Sequence, residues 1–89
     1  MRAVLTVIGK DMVGILAGVS GICAESGVNI TEVTQSILQD MFAMIMLVDI
    51  SGSSVPFDEL SARLEEYGKN NALSVKIMHE EIFDSMHRI

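Results

Sequence analysis

Met41-Phe42-Ala43-Met44-Ile45-Met46-Leu47-Val48 is the longest uninterrupted apolar run in the chain. Eight residues cannot cross a bilayer, which takes about 20 in a helix. A strand buried on both faces has this pattern, so the segment from Phe42 to Ile50 reads as a central strand. Residues 2–8 repeat the signature, with Val4, Thr6 and Ile8 alternating with Ala3, Leu5 and Val7. Two further strands are mixed. Val28 to Leu38 has apolar residues at Val28 and Ile30, then at Val33 and Ile37, a change of parity that predicts a bulge or an edge position. Ala72 to Met78 places Leu73, Val75 and Ile77 on one side and Ser74 and Lys76 on the other.

Helical periodicity fills the gaps. Met12, Ile15, Leu16, Val19, Ile22 and Cys23 keep the three-four spacing of an amphipathic helix from Met12 to about Ser26. Asp11 fits its N-cap, and Gly27 the left-handed position beyond its end. Pro56 opens a second helix, Asp58 and Glu59 complement its dipole, and Phe57, Leu60, Leu64 and Tyr67 line one face, with Gly68 expected to stop it. Gln39-Asp40 forms the hairpin turn between the second and third strands. Glu80 to Ile89 forms a short amphipathic tail that Ile82, Phe83 and Met86 can anchor.

Two strand-helix-strand halves predict an α+β, ferredoxin-like βαββαβ sandwich: a four-stranded antiparallel sheet with two helices on one face and a short C-terminal helical tail. Strands one and three occupy the centre in that arrangement, matching the two all-apolar segments. One domain is expected over residues 1–80, with residues 81–89 as a tail packed on it or on a partner subunit. Helices cover one face of a sheet, yet the central strands are apolar on both. The free face therefore predicts a homodimer or larger homo-oligomer.

Composition narrows the function classes. Hydrophobic residues are 49% of the 89 and charged residues 20%, which excludes disorder. Twelve acidic against six basic residues give a net charge of −6, unfavourable for a phosphate backbone, so no nucleic-acid partner is expected. Neither a signal peptide nor a membrane span is visible, and the single cysteine, Cys23, suits a reducing cytoplasm.

Little here suggests catalysis. Gly9-Lys10-Asp11-Met12-Val13-Gly14 begins like a phosphate loop, but Ile15-Leu16 stands where Lys-Ser/Thr is required. His79 and His87 lack metal-ligand spacing with Cys23, which sits on the apolar helix stripe as a packing thiol. Glu80, Glu81 and Asp84 read as a solvated face, with a weak cation site as the alternative. No nucleophile–base pair is evident, so neither an enzyme nor a cofactor is expected. Free amides at the first helix turn suit a carboxylate, or serve only as an ordinary capped start. An Asn29 side chain can bind both ends of an amino acid, or simply complete a turn. Gly14, Gly18 and Gly21 form a stripe that admits a close neighbour or has no role.

Gly9-Lys10-Asp11-Met12-Val13-Gly14-Ile15-Leu16 followed by Gly27-Val28-Asn29-Ile30 resembles the ACT domain family from about Ala3 to Met78. Gln35-Ser36 and the strand from Phe42 to Ile50 place it nearest the stand-alone ACT-domain proteins of bacteria and archaea, which are similar to the glycine-cleavage regulator group. The resemblance implies a non-enzymatic regulatory module that binds a small amino acid between paired domains and signals to a partner protein. By resemblance, Asp11 caps the loop, amides around Gly14 and Ile15 receive the ligand carboxylate, and Asn29 with backbone near Ile30 holds the polar end. Gln35 reaches toward the same ligand. Many family members have proline where Val13 stands. The alternative is a ligand-free interaction or dimerisation module acting on a transcriptional or metabolic regulator.

Overall fold

The structure, a computed structural model, describes residues 1–10 and 14–86, the side chain of Leu38 excepted. Asp11 and His87 therefore lie outside the described residues. The elements run β1 (Arg2–Gly9), α1 (Ile15–Glu25), β2 (Asn29–Leu38), β3 (Met41–Asp49), α2 (Phe57–Asn70), β4 (Ser74–His79) and α3 (Glu80–Met86). The sheet order is β2-β3-β1-β4 with every pairing antiparallel. The two all-apolar strands are thus central, as burial on both faces requires.

Parity assigns the core. Ala3, Leu5 and Val7 of β1 and Phe42, Met44, Met46 and Val48 of β3 face the helices, where Ile15, Val19 and Cys23 of α1 and Leu60 and Leu64 of α2 meet them. At about 25 cal/mol per Å² of apolar surface buried, this layer dominates the fold's stability. The parity change in β2 is a bulge. Ile30 pairs with Val48 and Glu32 with Leu47, leaving Thr31 over, and its hydroxyl donates to the Leu47 carbonyl at 2.9 Å.

Helix ends differ from expectation in two places. The N-cap of α1 is Gly14, at φ 74°, rather than Asp11. At the other end Gly27 takes φ 74° as anticipated. The Val28 amide donates to the Cys23 carbonyl at 2.8 Å and the Gly27 amide to that of Ala24 at 3.2 Å, a Schellman closure. Gly68 does not stop α2, which continues to Asn70. Ala72, at φ 56°, takes the left-handed position, with the Leu73 amide donating to the Gly68 carbonyl at 2.8 Å. Gly68 is glycine for space, since a Cβ there would stand 2.7 Å from the Leu73 carbonyl oxygen.

The tail forms α3 on the helix-free side of the sheet, against β1 and β4. Arg2 holds Glu80 through Nη2–Oε2 at 2.9 Å. Val4, on that side of β1, is buried yet outside the main core cluster, and α3 is what covers it. Phe83 is half-buried, but Ile82 and Met86 are exposed, so only part of the expected anchor is engaged. No helix among the described residues is long and apolar enough to cross a membrane.

Candidate functional site

The residues singled out in sequence divide between the two ends of α1. Gly14 is exposed and opens the helix with nothing within 4 Å of a Cβ placed there, and among the described residues no side chain caps the first turn. The unpaired amides of that turn carry the positive end of the helix dipole. Ile15, next in sequence, is 3% exposed and faces the core, so only its backbone is available to a ligand. Gln35 belongs to the same end. It pairs with Met44, on the helix side of β2, and is exposed.

Asn29 and Ile30 lie at the opposite end. Asn29 pairs with Asp49, which pairs with Arg2, whereas Gly9 pairs with Phe42 and Phe42 with Ile37. Eleven residues of α1 separate the two groups by about 16 Å. Within one chain the start of β2 and the first turn of α1 do not adjoin, because an intact α1 holds them apart. The Gly27 turn fixes the Asn29 corner, with the Ser54 amide donating to the Ser26 carbonyl at 2.8 Å. A Cβ on Gly27 would meet the Gly52 carbonyl oxygen at 2.6 Å, so the two turns pack backbone to backbone.

Asp49, which sequence reasoning passed over, adds a carboxylate beside Asn29. The Ser51 amide donates to it at 2.9 Å, and the chain's amino terminus lies 3.7 Å away. The bond from Ser51, followed by the positive terminus, holds its carboxyl below the usual carboxylate range. Its only sequence signal was a charge ending an apolar strand.

One flank joins the two ends. Gly18, Ile22 and Glu25 of α1 face α2, where a Cβ on Gly18 would collide with the Tyr67 hydroxyl. Tyr67 thus occupies the place of a close neighbour at Gly18, and Gly21 is open. Leu16 lies on the other side of α1, toward β2. Leu16 is 42% exposed, and Val33 and Ile37, although on the helix side of β2, are 40% and 59% exposed because the helix layer stops short of the edge. The β2 flank is an apolar shoulder beside an unpaired strand edge, with Gln35 between its residues.

Two surface hollows lie elsewhere. One, about 570 Å³, is lined by Met1, Arg2, His79, Glu80 and Glu81; the other, about 420 Å³, lies between α1 and α2 around Arg63 and Tyr67. Neither includes a residue of the expected ligand site, although the first holds His79 and the Glu80 and Glu81 of the alternative cation site. Arg2 is already committed to Glu80, and the His79 ring stacks on Phe57 with centroids 4.2 Å apart. Among the described residues no group of three metal-ligating side chains converges. Burial raises the Cys23 thiol above its ordinary pKa, which suits a packing residue and not a nucleophile.

The sheet order, the helix placement and the motif order together define a ferredoxin-like α+β module, and comparison with known proteins gives its family. The ACT domain family model matches residues 2–78. A UPF0237 protein of Clostridium acetobutylicum is 53% identical over 89 residues, covering all of both chains. One from Methanocaldococcus jannaschii is 48% identical over 88 residues, covering 99% of this chain and 98% of that protein. Among solved structures, an ACT domain protein from Streptococcus pneumoniae superposes with a TM-score of 0.82 at 38% identity, covering 94% of each chain. The chain belongs to the ACT domain family.

Proposed function

We propose that this chain is a non-enzymatic amino-acid sensor whose ligand sits between two copies and whose occupied form is read by a partner protein. The supporting observation is the division of the candidate residues along α1. One chain cannot close Gly14 and Asn29 on a small molecule across about 16 Å. Two copies placed flank to flank and antiparallel bring the Gly14 end of one to the Asn29 end of the other, twice. The exposed Leu16, Val33 and Ile37 provide the apolar contact for that pairing. Amides at Gly14 and Ile15 then receive the ligand carboxylate, and Asn29, with the backbone at Ile30 and the Asp49 carboxylate nearby, receives its ammonium. Gln35 is placed at the Gly14 end of its own chain. Asp11 belongs to this reading through the resemblance alone.

The signal is the difference in ligand affinity between paired arrangements, since a ligand shifts an equilibrium only by that difference. The test is thermal unfolding with each of the twenty amino acids. One of them at 100 times its Kd should stabilise the fold by about 2.7 kcal/mol. Asn29→Ala should abolish that gain and leave the unliganded midpoint unchanged. Silence across the panel would reject the sensor and favour the alternative, a ligand-free module that pairs with a transcriptional or metabolic regulator.

A further inference from the structure

The face of the sheet opposite α1 and α2 is a step. Below, α3 covers Val4; above, Ile8, Met41 and Ile45 are 43%, 46% and 46% exposed. The helix forming the step is itself half-used, since Ile82 and Met86, one turn apart, remain in solvent while Phe83 is half-buried.

We infer that a second copy of this chain closes this face reciprocally, the α3 of each copy seated on the bare upper half of the other's sheet. Shape supports this occupant. Two sheets stack face to face at about 10 Å, and a helix standing on one of them blocks that approach. Two identical steps related by a two-fold axis fit ridge to recess, the self-complementarity that an isologous contact requires. Charge supports it too. The described α3 carries Glu80, Glu81 and Asp84 and no base. On the bare half, register places Thr6, Ile8, Ile45, Ser74 and Lys76, whose ammonium lies 3.6 Å from Glu65 of α2, with no carboxylate on the exposed side of β1, β3 or β4 there. In a chain of net charge −6, that is where an acidic helix can land without repulsion. The same acidic ridge disfavours an anionic lipid surface. Asn29 and Asp49 share this side of the sheet but lie at its lower end on β2 and β3, so the contact uses different residues from the ligand seam and stands without it.

Full-length chains carrying Ile45→Cys and Ile82→Cys, purified separately, mixed and oxidised, test the arrangement; the native thiol, Cys23, is buried. A disulfide-linked dimer is expected from the mixture, several-fold more abundant than from either chain alone and lost on reduction. Ile8→Glu on the Ile45→Cys chain should remove it, and Ile82→Glu alone should halve the assembly mass in sedimentation. Asn29→Ala should leave the cross-link intact, which separates this contact from the ligand seam. No mixed-chain product, a product equally strong in the single-chain samples, or an unchanged mass for Ile82→Glu would each overturn the arrangement.

Discussion

Cys23 is 1% exposed within the core cluster that also holds Val19 and Met46, and burial disfavours its thiolate. Its folded pKa is raised, so the fold's preference for the neutral thiol costs nothing below the ordinary thiol range and destabilises only as pH rises above it. A thiol reagent at pH 8 should label the native protein at the rate of global opening and the denatured protein at once; equal rates would contradict the packing role. Asp49 runs the other way. Its lowered pKa means that whatever it contributes is present above the ordinary carboxylate range and fades as pH falls through the folded value. Cys23 was legible from its place on an apolar stripe. Asp49 was not, because its partners, Ser51 and the amino terminus, meet it only after the strand register is set.

Element ends carry the sharpest differences between chemistry and expectation. A glycine near the end of a helical pattern reads as a stop signal, yet Gly68 lies inside α2 and the left-handed residue is Ala72. An L-residue in that conformation costs about 1–2 kcal/mol. Ala72→Gly should therefore raise stability by about 1 kcal/mol, measured by urea unfolding. Gly68→Ala should lower it by about 1–3 kcal/mol, because the obstructing atom is backbone and cannot rotate away. Equal effects at the two positions would show that helix propensity, not the Schellman closure and the Leu73 contact, sets the end of α2. Strand identity and the β2 bulge were readable because a period of two shows burial directly. The separation of Gly14 from Asn29 follows from the direction of α1 between β1 and β2, which spacing along the chain does not show.

The whole molecule has two unfinished surfaces. The β2 flank presents Leu16, Val33 and Ile37 beside an open strand edge, and the far face leaves Ile8, Met41 and Ile45 beside α3. An apolar sheet face was foreseeable from strands apolar on both sides; the shoulder on β2 was not, since its residues point toward the helices and are exposed only because the helix layer is narrow. An amino acid held at the flank joins opposite ends of α1 from two copies, and that is the central claim. Amide chemical shifts of uniformly labelled protein, followed during titration with the stabilising amino acid, test it most directly. Gly14, Ile15 and Asn29 should shift together, with one ligand bound per chain at saturation. Shifts confined to one end of α1, or to the hollow around Arg2 and His79, would contradict it.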